Sequence, residues 1–254
     1  MKRLAGFFAT FCLIVVLDAG RLTAQEDVAD VPSQDLRAGK DERKRYFLIG
    51  APKEAKTPDR GYRLLVVLPG GPGSAAFHPF VKRIYKHAVP EGYLVAQPVA
   101  PDWTVWPTEK DRAEAFSTEA FVDAIIDDVG SRYKLDPEYA LTLSWSSSGP
   151  AAYAVSLQSK KVSGSFIAMS VFRPKRLPSL EKAKGHAYLL FHSPDDEICP
   201  FEMAKEADKL LKQNGAKVKL LTYEGKHGWQ AGLYERMREG IQWLETNRAS
   251  RVRP

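Results

Sequence analysis

The chain has 254 residues, 44% of them hydrophobic and 27% charged, with a formal net charge of +6, the profile of a soluble globular protein with one well-covered core. Lys2, Arg3 and Arg21 against Asp18 carry +2 of that charge at the N-terminus, leaving +4 for the rest. So mild an excess, with no basic stripe interleaved with aromatics, excludes a nucleic-acid footprint.

The N-terminal "MKRLAGFFATFCLIVVLDAG" joins a basic start to an apolar run from Leu4 to Leu17 and then turns polar. This is a secretory signal pattern, too soon broken by Asp18 and Arg21 for a comfortable membrane span. Cleavage is expected after Ala24, giving a secreted or periplasmic protein; Leu22, large for its place before the cut, leaves an uncleaved anchor as the alternative. Cys12 lies in the apolar leader, so Cys199 is the only thiol of the mature chain and no internal disulfide forms.

Residues 25–44 are polar and aperiodic and are expected to be a flexible lead-in to a domain over 45–247, with a basic tail over 248–254. Within the domain, apolar runs alternate with helical patterns. "RLLVVLP" (63–69) precedes a helix over 77–89, and "YLVAQPVA" (93–100) precedes one over 118–133, where Val122, Ile125, Ile126, Val129 and Tyr133 recur at helical spacing. "YALTLS" (139–144) leads into an alanine-rich helix, "SGSFIAMSVF" (163–172) into a loop, and "AYLLFH" (187–192) into a helix opening at Pro200 and ending at Asn214-Gly215. "KVKLLTY" (217–223) is a last strand before a final helix on Leu233, Met237, Ile241 and Leu244. Such alternation predicts an α/β fold, a mostly parallel twisted sheet with helices on both faces.

In such a sheet ligands bind beyond the carboxyl ends of the strands, and four of those junctions are unusual. "LTLSWSSSGPAA" offers a sharp strand-to-helix turn with Ser146 at its tip, flanked two residues away by Ser144 and Ser148, both small enough for the backbones to pass. Centring the turn on Ser147 puts Trp145 in a position for small residues, and centring it on Ser148 puts Pro150 there. "LPGGPGSAAF" (68–77) is a loop of the kind that presents backbone N–H groups to an oxyanion. Pro72 has no N–H, which leaves Gly71, paired with the N–H of Ser147. "FHSPDDEICP" (191–200) supplies Asp195 and Asp196, either of which suits an acid that orients a histidine, and "YEGKHGW" (223–229) supplies His227 on a glycine-flanked loop. Read alone, each is equally a helix cap, a turn or a solvated loop. Together they fall in the chain order Ser, Asp, His, each after a strand.

With these motifs the chain resembles the α/β-hydrolases, and among them small carboxylesterases, phospholipase-type esterases, dienelactone hydrolases and secreted depolymerase-like esterases, over roughly residues 45–247. On the family's H-G-x-x-D-x-x-x-P pattern the aspartate falls on Asp196, four before Pro200, with Ser193 in place of glycine. The elbow departs from G-x-S-x-G by Ser144 and Ser148. The resemblance implies a monomeric serine esterase that works without cofactor or metal on a small or polymer-attached ester, with catalytic residues Ser146, His227 and Asp196. The stretch 173–186 is too short for a large cap. Trp103, Trp106 and Trp145 are candidates for a substrate wall. A peptidase on the same fold and a catalytically inactive binding scaffold are the alternatives.

Overall fold

The computed structural model describes residues 27–51, 57–101, 106–110 and 116–248. In chain order the elements are β1 (Ser33–Arg37), β2 (Arg45–Ile49), β3 (Tyr62–Leu68), α1 (His78–His87), β4 (Tyr93–Pro98), α2 (Thr118–Arg132), β5 (Leu135–Trp145), α3 (Gly149–Gln158), β6 (Val162–Ala168), β7 (Ala187–His192), α4 (Phe201–Gln213), β8 (Lys217–Thr222) and α5 (Leu233–Asn247). The strands form one sheet in the order β1-β2-β4-β3-β5-β6-β7-β8. β1, β2 and β4 pair antiparallel, and every pairing from β4 through β3 to β8 is parallel.

The continuous apolar runs of the central strands follow from burial on both faces. β3, β4, β6 and β7 are buried almost throughout, whereas the edge strand β8 alternates between exposed and half-buried residues. One face packs on α2, α3 and α4 through residues such as Phe121, Ile125, Val155 and Leu211; the other packs on α1 and α5 through Val81, Ile84, Met237 and Ile241. α2 begins where the Ser117 hydroxyl accepts the Ala120 N–H at 3.1 Å. α4 ends at Asn214, followed by Gly215 at φ +81°, as its sequence predicts. No helix among the described residues is long and apolar enough to cross a membrane.

Two expectations are corrected. Residues 27–44 do not form a flexible lead-in: Val28 and Val31 are buried in the core beside α1, β1 pairs with β2, and Asp30 meets Lys86 at 2.9 Å. Two valines are too few to show periodicity, and an edge strand such as β1 is held by backbone hydrogen bonds that side-chain pattern does not record. The strand expected over 163–172 ends at Ala168, because Met169 takes φ +38° and turns the chain toward the neighbouring strand end. Residues 1–26, with the expected leader and its cleavage point, and the tail from 249 lie outside the described residues.

The packing of α5 on the sheet leaves no room at Gly240, where an added Cβ stands 2.3 Å from the ring of Phe166, a fully buried residue. Gly240→Ala is expected to lower the free energy of unfolding by about 1–3 kcal/mol through overpacking, read from the urea midpoint; an unchanged midpoint means that α5 does not press on Phe166 at this position.

Candidate active site

Ser146 follows β5 directly and opens a 3-10 turn, Ser146–Ser148, that runs into α3. Its φ is +56°, a left-handed conformation that costs a non-glycine residue on the order of 1–3 kcal/mol. The surroundings hold it there. The Ser148 hydroxyl, fully buried, donates to the Leu68 carbonyl at 2.7 Å and accepts the Trp145 N–H at 3.2 Å, tying the end of β3 to the turn. From the other side, the Ser170 hydroxyl donates to the carbonyl of Ser146 itself at 2.7 Å. Close approach of these segments makes Gly149 obligatory, since a Cβ there stands 1.8 Å from the Ser170 hydroxyl oxygen.

Beyond the tip, Ser146 Oγ lies 3.0 Å from His227 Nε2, and His227 Nδ1 lies 2.8 Å from Asp196 Oδ2. With the ring proton on Nδ1, the imidazole donates to the carboxylate and accepts from the serine. The Asp196 side chain is fully buried, and its other oxygen accepts the N–H groups of Ile198 at 2.9 Å and Cys199 at 2.8 Å. Burial alone raises its pKa, but the Cys199 N–H, the His227 ring and the Ile198 N–H outweigh it and hold the carboxyl below the usual carboxylate range. Asp195 is exposed and lines a separate cavity of about 670 Å³ beside α5. The structure therefore separates the two adjacent aspartates by burial, one facing His227 and the other solvent.

The glycine loop lies against the turn. Ser147 Oγ donates to the Gly71 carbonyl at 2.7 Å, and Gly71 has φ +57°. Trp106 is 4% exposed and braces the same loop by donating from Nε1 to the Pro69 carbonyl at 2.9 Å. Trp145, expected in a substrate wall, is instead 6% exposed and packed edge-on against Phe77, Phe80 and Trp229. It precedes Ser146 on a strand, so a tip residue facing the cleft leaves its neighbour facing the core. Trp103 lies outside the described residues.

Three contributors had no clear signal in the sequence. Ser170 lies in a stretch that reads as strand. Ser193 donates to the Gly225 carbonyl and so joins the aspartate loop to the histidine loop. His192 Nε2 contacts the Cys199 carbonyl at 2.7 Å and stands 3.4 Å from Asp196 Oδ2, and burial lowers its pKa and keeps the ring neutral. The only hint for the last two was their position beside the candidate aspartate.

Ligand atoms of Asp196, Cys199 and His227 lie within 4.8 Å of one another. Cys199 is 5% exposed, and burial and the Asp196 charge push its thiol up to about 11. The same shift leaves Cys199 a poor nucleophile beside Ser146.

No protein-family model and no curated protein matches the sequence. Solved structures do match in shape. A thermostable esterase is 20% identical, with a TM-score of 0.65, and aligns over 87% of this chain and 64% of its own, so the chain spans less than two thirds of that protein's length. A fungal esterase from Rhizomucor miehei is 12% identical at a TM-score of 0.67, over 90% of this chain and 88% of its own. Thermogutta terrifontis esterase 2 is 16% identical at 0.62, over 84% and 94%. At such identities the likeness concerns architecture, and with the sheet order and the strand-to-helix turn at Ser146 it establishes the α/β-hydrolase fold for this chain.

Proposed function

We propose that the protein is a serine hydrolase that cleaves carboxylic esters through an acyl-enzyme. The observation that carries this reading is the relay from buried Asp196 through His227 to Ser146, at 2.8 and 3.0 Å. A serine hydroxyl is a weak nucleophile at neutral pH, so attack needs a base within hydrogen-bond reach. His227 takes the Ser146 proton on Nε2 as Oγ bonds to the ester carbonyl carbon, and Asp196 stabilises the imidazolium that forms. The oxyanion meets the backbone N–H groups of Gly71 and Ser147, each worth roughly 2.7–4 kcal/mol of transition-state stabilisation. His227 then returns the proton to the departing alcohol, and water repeats the sequence to release the acid. The strained φ of Ser146 holds the hydroxyl at the tip of the turn in advance of substrate.

That the structurally similar proteins are esterases supports an ester rather than an amide substrate. The leader-like residues 1–24 support export from the cytosol.

A fluorophosphonate probe is expected to label the protein, and peptide mapping to place the adduct on Ser146; recovery on Ser147 or Ser148 overturns the assignment. 4-Nitrophenyl acetate should be hydrolysed and alanine 4-nitroanilide left intact; the reverse identifies a peptidase. Asp196→Asn should lower kcat by roughly 10⁴-fold through loss of the correct tautomer, with Asp195→Asn affecting it little, as steady-state rates would show.

The buried carboxylate also makes a pH prediction. The pKa of Asp196 is lower folded than unfolded, so its stabilisation is fully present above the ordinary carboxylate value of about 3.9 and is lost as pH falls through the lower, folded value. The difference in urea midpoint between wild type and Asp196→Asn should therefore shrink as the pH is lowered from about 5 toward 2. A difference that grows on acidification means that the folded protein holds this carboxyl protonated.

A further inference from the structure

One cationic feature of the strand-end rim plays no part in the relay. A small pocket of about 110 Å³ opens beside the turn, bounded by Trp106, Thr108, Ser147, Pro150, Arg173 and Leu177, with Arg176 at its edge. Its walls come from the segments after β4, β5 and β6, so it opens on the same end of the sheet as Ser146. Ser147, whose hydroxyl touches the oxyanion loop, is shared between the two.

The arginines here are unlike others in the protein. Arg37, Arg45, Arg63 and Arg132 each rest against a carboxylate at 2.5–3.0 Å, as expected for a group that binds planar anions with two parallel hydrogen bonds. The side chains of Arg173 and Arg176 have no hydrogen-bond or ion-pair partner among the described residues, and both residues line the pocket and are exposed. Lys175 lies on the same 3-10 turn, Pro174–Arg176, and raises the local positive charge without lining the pocket. Two unpaired guanidinium groups around a recess of this volume, where a water's share of liquid is about 30 Å³, fit a compact anion better than a long apolar chain.

Resting on the serine-esterase reading above, we propose that Arg173 and Arg176 form a carboxylate-recognition subsite, and that the preferred substrates are esters carrying a free carboxylate a few bonds from the scissile carbonyl. Arg173 and Arg176 hold that carboxylate while the neighbouring Ser146 attacks, so the charge selects and orients the ester without entering the chemistry.

The test compares charged esters with neutral partners of the same shape. One pair places the carboxylate on the acyl side, mono-4-nitrophenyl glutarate against its methyl ester, after subtraction of spontaneous hydrolysis. The other places it on the alcohol side, 4-acetoxybenzoate against its methyl ester. In at least one pair kcat/KM should favour the carboxylate, and that preference should drop about tenfold or more in Arg173→Gln/Arg176→Gln and shrink with added salt. Lys175→Gln should retain the preference, because it lies outside the pocket. Turnover of the neutral esters with no preference for the charged ones, or a preference that survives the double variant, overturns the subsite and leaves the esterase reading standing. If wild type turns over none of the four esters and Ser146 takes no fluorophosphonate, the esterase reading fails and the subsite falls with it.

Discussion

The site depends on one strained residue. Ser146 occupies φ +56° without the freedom of a glycine, and a side chain in that region persists only where its neighbours over-determine it. Here the neighbours are specific: Ser148 anchors the turn to the end of β3, and Ser170 holds the Ser146 carbonyl from beyond β6. β3, β5 and β6 are adjacent, parallel and buried at their carboxyl ends, so the bracing reaches the buried centre of the sheet. A strained turn on a flexible edge would relax. On the central strand it keeps a hydroxyl projecting from the sheet end at a fixed distance from the histidine.

Asp196 is held by a different device. Asp196 and Asp195 are chemically identical and adjacent, yet the fold gives them opposite environments. The loop after β7 turns Asp196 inward, where two backbone N–H groups and His227 compensate a charge that burial alone would penalise. His192 contacts the Cys199 carbonyl, and Ser193 joins this loop to the one bearing His227. The relay therefore consists of two loops tied to each other, both projecting from neighbouring strands, β7 and β8. Its electrostatics follow from loop hydrogen bonding more than from pairwise attraction across the site.

Much of this was legible in the sequence. The order of strands and helices appeared because buried parallel strands read as unbroken apolar runs, and α2 announced itself by the helical spacing of Val122, Ile125 and Val129. Steric spacing favoured Ser146 over Ser147, whereas Asp195 and Asp196 stayed equivalent on position and only the resemblance to the family's H-G-x-x-D-x-x-x-P pattern pointed to Asp196; in the structure Ser146 Oγ and Asp196 Oδ2 each meet the ring of His227. What stayed hidden was held by backbone or by distant contacts. β1 is an edge strand whose hydrogen bonds leave no side-chain pattern, and Val28 and Val31 find their core only across the fold, beside α1. Ser170 looked like a strand residue because the break at Met169 is imposed by its neighbour, through the Met169 N–H to Phe191 carbonyl bond at 2.7 Å. Trp145 turns inward for a related reason: size and position beside Ser146 say nothing about which side of the pleat a ring takes.

The serines that replace glycine around the turn then have a physical explanation. Glycine at these positions gives small size and backbone freedom, at the cost of a chain that has more conformations to lose on folding. Serine stays among the smallest side chains and adds a hydroxyl. Ser144 is fully buried, with Oγ 3.4 Å from the Phe166 carbonyl, and Ser148 makes three shorter contacts to backbone. Each hydroxyl reaches backbone of the turn itself or of a neighbouring strand. The turn thus exchanges permissiveness for fixation: what glycine achieves by tolerating the bend, these serines achieve by tying the bend to the sheet. Such an exchange works only where polar partners are already in place. Here the carbonyls of Leu68 and Phe166, on the flanking strands β3 and β6, supply them, so the departure from the glycine pattern is compatible with the left-handed turn at Ser146.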